Sequence, residues 1–290
     1  MSNIDFIHEE KAADIGNFLV GRLLPFRQKR SIGPFVFIDH MGPAHLKEYE
    51  NLDVGPHPHI GLSTLTYLFE GAIMHRDSIG NAIEIQPGAV NWMTAGEGVV
   101  HSERTPEYLR VQDKYLHGLQ IWVALPKDKE HIEPNFSHVE AEQLPTWVED
   151  GVQYKLIAGE ALGRKSGVPV YSKLYMIEIK NLEAKRIDFK EQLYGESGLY
   201  ILEGGVRKDE HVYGPKQILI TKDAHLCSFD LEANSTIYIF GGEPFPEERF
   251  IYWNFVSSEK SVIEKAKEDW KAQRFPKIDG EEGFVPLPGT

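Results

Sequence analysis

Short apolar runs rich in Val, Ile, Tyr, Phe and Thr recur along the chain, each closed by Gly, Pro, Asn or Asp, and this texture predicts β-strands joined by tight turns. Residues 35–38, 63–69, 82–85, 119–125, 174–179, 217–221 and 235–240 are such runs. The segment Asp77-Ser78-Ile79-Gly80-Asn81 carries turn chemistry, so residues 64–86 are expected to form a hairpin, and Pro87-Gly88 turns the chain again toward Trp92-Met93. Many short strands at this spacing predict an all-β fold of the sandwich or barrel type. One stretch has a helical period instead: within residues 257–275, Val262, Ile263, Ala266 and Trp270 fall on one stripe, with Ser261 and Glu264 placed for a capping box. Residues 276–290 have no periodicity and are expected to form a surface strap.

The pattern repeats. Tyr67-Leu68-Phe69-Glu70-Gly71-Ala72-Ile73 is echoed by Tyr200-Ile201-Leu202-Glu203-Gly204-Gly205-Val206, close to half a chain later, which predicts two similar β-barrel domains. Residues 131–146, with Pro134, Pro145 and several acidic side chains, are expected to connect them, so the domains are set at residues 1–133 and 134–290.

A length of 290 residues with 41% hydrophobic positions suffices for two cores. The net charge of −13 disfavours direct binding to nucleic acid or to anionic membranes and leaves a protein partner with a basic patch open. Cys227 is the single cysteine, which excludes an internal disulfide and a thiolate cluster; its apolar neighbours predict a buried, inert thiol. No signal-peptide profile and no membrane-length apolar run are present, so a cytoplasmic protein is expected.

The chemistry resides in two dipeptide spacings, His57-Pro58-His59 and His101-Ser102-Glu103. Side chains at i and i+2 of a strand share a face, so a sheet that joins the two segments would converge three imidazoles and one carboxylate. Imidazole with a hard carboxylate and no thiolate suits iron, manganese, nickel, copper or zinc. Carrying these positions forward by the repeat offset lands on Lys190, Gln192, Asn234 and Thr236, none a strong ligand, and His211 and His225 form no such pair. One metal site, in the first domain, is therefore expected.

Gly55-Pro56-His57-Pro58-His59, the Asp77 to Asn81 turn, Pro87-Gly88 and above all Asn91-Trp92-Met93-Thr94-Ala95-Gly96-Glu97-Gly98-Val99-Val100-His101-Ser102-Glu103 strongly resemble the pirin family of the cupin superfamily. The resemblance extends over nearly the whole chain, including His117-Gly118-Leu119-Gln120-Ile121-Trp122-Val123 and Phe240-Gly241-Gly242-Glu243-Pro244. It implies two cupin-type β-barrels (double-stranded β-helices) followed by a C-terminal helix, the first binding metal and the second degenerate. It also implies one divalent transition metal per chain, usually iron, with Mn, Ni, Cu, Co or Zn as alternatives, on His57, His59, His101 and Glu103. Two activities go with the family: quercetin 2,3-dioxygenase-like opening of a flavonol by O2 with loss of carbon monoxide, in which Glu103 would be the base, or iron-dependent redox sensing through protein partners. The chain departs from the family pattern at Ile60-Gly61-Leu62-Ser63, where a basic residue and a carboxylate are common. This leaves Glu103 as the obvious carboxylate donor and predicts a less polar cavity mouth. Gly96 and Gly98, which bracket the approach to His101, are expected to supply tight or positive-φ backbone.

Overall fold

A computed structural model of the chain describes residues 4–15, 18–190, 192–221 and 228–289; Cys227 and His225 lie outside the described residues. Each of the seven apolar runs coincides with a strand to within one residue, and strands dominate the described residues, with one α-helix among them at Lys260–Lys271. The contacts group into two compact units: Ala12–Arg22 with Phe37–Ala141 and Pro246–Thr290, and Met1–Lys11 with Leu23–Val36 and Glu142–Phe245.

In the unit that carries the histidine pairs, a seven-stranded sheet runs in the order Asn135–Val139, Val90–Thr94, Leu62–Glu70, Lys114–Ala124, Phe35–Leu46, Leu19–Leu24, Lys11–Asp14. A four-stranded sheet runs Asp53–His59, Val99–Arg104, Ile73–Asp77, Ala82–Ile85. Side chains from both sheets, among them Val20, Met41, Leu68, Ile73, Ile85 and Leu116, form an apolar core together with Leu52. The other unit repeats the plan with a larger sheet whose central strands include Glu196–Glu203 and Thr236–Gly242, and a four-stranded sheet ordered Lys185–Asp188, Ser228–Leu231, Val206–Lys208, His211–Tyr213. The repeated Glu-Gly motif marks the same corner in both. Leu62–Glu70 and Glu196–Glu203 each end at a positive-φ glycine, Gly71 at 86° and Gly204 at 74°, and the chain then enters the smaller sheet.

Three expectations are corrected. The hairpin is Ile73–Asp77 with Ala82–Ile85, while Leu62–Glu70 belongs to the other sheet, because the Gly71 corner redirects the chain between them. The capping box does not form: the helix N-cap is Glu259, which makes no side-chain capping bond, so Ser261 lies inside the first turn. Ser257 Oγ instead accepts the Glu259 N–H at 3.0 Å. The presumed connection around residue 134 contains the strand Asn135–Val139, which pairs with Val90–Thr94 in the first sheet.

The helical stripe is as the period predicts. Ile263, Ala266 and Trp270 are buried against Ile60, Val100, Phe255, Ile278 and Leu287, each large side chain contributing about 1.5–3 kcal/mol by its burial. The strap beyond it is more than a surface feature, since Ile278 and Leu287 are buried and Glu281 is tied inward. Strand alternation explains the arrangement: His101 and Glu103 point into the barrel, while Val100, Ser102 and Arg104 point outward to the helix and strap. Ser102 Oγ donates to Glu281 Oε1 at 2.6 Å, and Arg104 Nη2 donates to Glu281 Oε2 at 2.8 Å. The Trp270 indole N–H donates to the Val285 carbonyl at 3.0 Å, and Val285 N–H donates to the Pro56 carbonyl at 2.8 Å. The outer side of the strands that carry His57 and His101 is thereby clamped.

Gly96 shows why this corner needs glycine. Its φ is 50°, and a Cβ there would stand 1.9 Å from the Ile132 carbonyl oxygen. Gly80, at φ 95° in the Asp77 turn, has open space around it. Gly80→Ala is therefore expected to cost about 1 kcal/mol through backbone strain alone, and Gly96→Ala at least twice that, because a backbone carbonyl must also move. Urea unfolding of the two variants checks the order; equal losses would remove the steric account of Gly96.

Candidate metal centre

The strands Asp53–His59 and Val99–Arg104 pair antiparallel with His101 directly opposite His57 and Val99 opposite His59. With His57 and His59 two residues apart on one strand, all three imidazoles point to the same interior face. Their rings stand 4.3–5.1 Å apart between centroids, and one nitrogen from each lies within 4.8 Å of the others. Among the described residues no other three His, Cys, Asp or Glu donors come so close.

Glu103 is not part of this group. The pairing slips between His101 and Glu103, so that Glu103 stands opposite Val54 where regular register would put Gly55. Its carboxylate lines the same cavity, 3.3 Å from Thr66 Oγ1, and Thr66 lies 2.9 Å from Gln120 Oε1; the single hydroxyl proton serves one acceptor at a time.

Hydrogen bonds define the free nitrogens. The Nδ1 of His57 is 2.8 Å from the Gly55 carbonyl, to which only an N–H can donate, so His57 Nε2 carries the lone pair. Nδ1 of His59 and Nε2 of His101 are buried without a hydrogen-bond partner. A buried polar atom without a partner costs about 1–3 kcal/mol, and two of them beside a third free imidazole nitrogen fit a bound cation. Burial lowers the His57 imidazole to about 4, with the neighbouring His75 lowering it further and the Gly55 bond opposing. Burial likewise pushes His59 and His101 well below the ordinary histidine range, so all three are neutral at pH 7, the form that binds metal. Burial raises the Glu103 carboxyl, with His75 and Thr66 acting in the opposite direction.

A cavity of about 480 Å³ opens onto the cluster. Alternation on three further strands supplies its wall: Val20 and Arg22, Phe37 with Asp39 and Met41, and Gln120 with Trp122. Trp122 meets His59 edge-on at 5.2 Å and stacks on Phe37 at 3.9 Å, and the Arg22 guanidinium lies 4.6 Å above the Phe37 ring. Arg22 Nε and Nη2 donate to the two Asp39 oxygens at 2.9 and 2.8 Å. Burial raises the Asp39 carboxyl while Arg22 opposes that rise. Trp253, Asn254, Val285, Pro286 and Pro288 complete the lining from the C-terminal part of the chain.

The expectation for Ile60 and Ser63 is overturned, since neither lines the cavity. Ile60 packs in the apolar cluster with Phe255 and Trp270, and Ser63 Oγ donates to Thr94 Oγ1 at 3.0 Å. Cavity polarity comes instead from Arg22, Asp39, Gln120 and Asp14, which no local motif signalled. His75 and Asp77 were also missed, although His75-Arg76-Asp77 is a third i, i+2 pair and could have been found by the same rule. His75 Nδ1 is 3.4 Å from His101 Nδ1, and its Nε2 is 3.0 Å from Asp77 Oδ2.

In the other unit, the strands matching those that bear the ligands are Lys185–Asp188 and Ser228–Leu231, paired Ile187 to Phe229. Ile187, Phe229 and Leu231 are buried in its apolar core. The simple offset to Lys190, Gln192, Asn234 and Thr236 misses these strands, because the loops of the two halves differ in length. Hydrophobic side chains occupy the place that imidazoles hold in the first barrel.

Comparison with known proteins agrees with this architecture. Residues 17–123 match the Pirin family model, and residues 176–276 match the model of the pirin C-terminal cupin domain. A pirin-like protein of Caulobacter vibrioides is 47% identical over 289 residues, spanning 98% of this chain and 99% of that protein. Pirin-1 of Arabidopsis thaliana is 32% identical over 74% of this chain and 75% of its own length. The crystal structure of quercetin 2,3-dioxygenase from Acinetobacter baumannii superposes with a TM-score of 0.89 at 32% identity, covering 98% of this chain and 95% of that one.

A depressed histidine pKa has a consequence for stability. With His57 near 4 when folded and about 6.5 when unfolded, the unfolded chain binds a proton that the native state refuses throughout that window. Its contribution to stability is complete above pH 6.5 and declines as the pH falls toward 4. Metal-free His57→Gln should therefore lose stability less steeply across this window than metal-free wild type, by up to about 1.4 kcal/mol per pH unit. Urea unfolding at successive pH values measures the slope, and identical slopes would refute a buried neutral His57.

Proposed function

The chain belongs to the pirin family, and we propose that its first barrel is a mononuclear metal-dependent dioxygenase site for flavonol-like aromatic substrates. The observation that carries this reading is the convergence of three neutral imidazoles on a cavity walled by stacked aromatics. The similarity to the quercetin 2,3-dioxygenase structure from Acinetobacter baumannii supports it.

His57, His59 and His101 would hold the ion, with Glu103 as fourth donor; this nitrogen and oxygen set suits several divalent transition metals, and iron is proposed among them because it is the usual metal of the family. A bound divalent ion supplies Lewis-acid charge at the inner end of the cavity. The protein's own groups do the rest. A cavity of about 480 Å³ falls in the range of about 300–1,000 Å³ typical of small-molecule sites. Phe37 and Trp122 offer a flat apolar platform that leads from His59 toward Arg22. The Nε and Nη2 edge of Arg22 is held by Asp39, and its Nη1 can donate to a phenolic oxygen at the far end of the substrate. Glu103, made more basic by burial, is placed to accept the proton of the flavonol 3-hydroxyl. The overall reaction converts flavonol and O2 into the ring-opened ester and carbon monoxide. The proton taken by Glu103 returns to the product carboxylate.

Metal-loaded protein given a flavonol should take up O2 and release carbon monoxide in equal amounts. Glu103→Gln with its metal retained should lose about a hundredfold in kcat or more. Arg22→Lys keeps the charge beside Asp39 but loses the planar fork, and should raise KM about tenfold with little change in kcat. If fully loaded wild type neither consumes O2 nor releases carbon monoxide with several flavonols, the dioxygenase reading fails and redox sensing through a protein partner takes its place.

A further inference from the structure

The four-stranded sheet brings a third polar pair to the inner face beside the imidazole cluster. Ile73–Asp77 pairs with Val99–Arg104 so that Asp77 stands opposite His101 and His75 opposite Glu103. His75 and Asp77 are almost wholly buried, at 3% and 2% exposure, which is costly unless every polar atom is used.

For a neutral His75 the hydrogen bonds of this pair admit one consistent assignment of protons. Asp77 Oδ1 accepts the backbone N–H groups of Ile79 and Asn81 at 3.1 and 2.9 Å, and Oδ2 accepts Asn81 Nδ2 at 2.8 Å. Such a carboxylate, surrounded by donors, is an acceptor only. His75 Nε2, 3.0 Å from Oδ2, must therefore carry its proton. In a neutral His75 the Nδ1 is then an acceptor, and the atom facing it at 3.4 Å is His101 Nδ1, which must be the donor. That leaves His101 Nε2 deprotonated, and Nε2 is the buried nitrogen without a partner. The reverse tautomer would bury an N–H with no acceptor and set two lone pairs face to face.

We propose that Asp77 and His75 are positioning residues that lock His101 in its metal-binding tautomer and strengthen Nε2 as a donor. This rests on the reading of the three imidazoles as a metal site. A hydrogen bond accepted from Nδ1–H raises electron density at the opposite nitrogen and fixes the ring plane. Phe136, stacked on His75 at 4.6 Å, holds the intermediate ring in place. Asp77 thus has two tasks, closing the hairpin turn and anchoring the relay.

Long-range proton–nitrogen correlation spectra of metal-free wild type should show His101 protonated on Nδ1 and His75 protonated on Nε2. A His101 protonated on Nε2 would overturn the relay without touching the metal assignment. Cobalt(II) titration provides the second readout. His75→Phe, which keeps the stack on Phe136, should weaken Co(II) binding by about ten- to a hundredfold, and His75→Gln, whose carbonyl can still accept from His101 Nδ1, should recover part of the loss. Asp77→Asn preserves an oxygen for the turn but presents an amide donor to His75, and should change the His75 and His101 tautomers together with the affinity. Wild-type affinity in folded His75→Phe, or an Asp77→Asn variant that loses only thermal stability, overturns the proposal. Failure of wild type itself to bind Co(II) would instead count against the metal site.

Discussion

The antiparallel register that sets His101 opposite His57 is the constraint on which the rest of the site depends. Side-chain direction in a strand has a period of two, so a slip of one residue would turn His101 to the outer face and bring Val100 or Ser102 inside. The outer face resists such a slip. Val100 is packed under Trp270 and Ile263, and Ser102 and Arg104 are bound to Glu281, so the residues that alternate with the ligands are held as firmly as the ligands themselves. The C-terminal helix and strap have this structural task and also contribute Val285, Pro286 and Pro288 to the cavity lining.

Burial then gives the cluster its chemistry. Three imidazoles removed from water cannot all be charged, and their depressed basicity keeps them neutral and available as donors. The same burial leaves two nitrogens without partners, a local cost that a bound cation would offset. The second barrel shows the alternative solution. The strands that correspond to the ligand strands carry Ile187, Phe229 and Leu231, and the space is filled with apolar packing. One plan thus supports a donor-lined interior in one copy and an apolar core in the other.

The cavity wall changes character with distance from this centre. From His59 through Trp122 and Phe37 to Arg22, the wall changes from ligand to aromatic platform to cation. Such a gradient suits a flat molecule with an oxygen at each end better than an aliphatic one. No helix among the described residues is long and apolar enough to cross a membrane.

Much of this was legible in the sequence where a feature depends on near neighbours. The His57 and His59 pair, the Asp77 turn and the stripe of Ile263, Ala266 and Trp270 follow from local periodicity and turn chemistry, and each stands in the structure. The family resemblance extended that reading to two cupin barrels. What the sequence could not decide is whatever depends on which distant strands pair and in what register. The slip that sets Glu103 opposite Val54, outside the close trio of imidazoles, is revealed only by the pairing of Asp53–His59 with Val99–Arg104. His75 reads as one more strand histidine until the sheet places it beside His101. Ile60 and Ser63, next to the ligands in sequence, face away from the cavity, whereas Arg22 and Pro286, far away in sequence, line it. The strand Ile4–Glu9 pairs with Gln217–Thr221, and residues 246–290 group with the first barrel, although a contiguous division at 133 and 134 would assign both otherwise. Periodicity determines which way a side chain points from its own strand; long-range pairing of the backbone decides what it meets there.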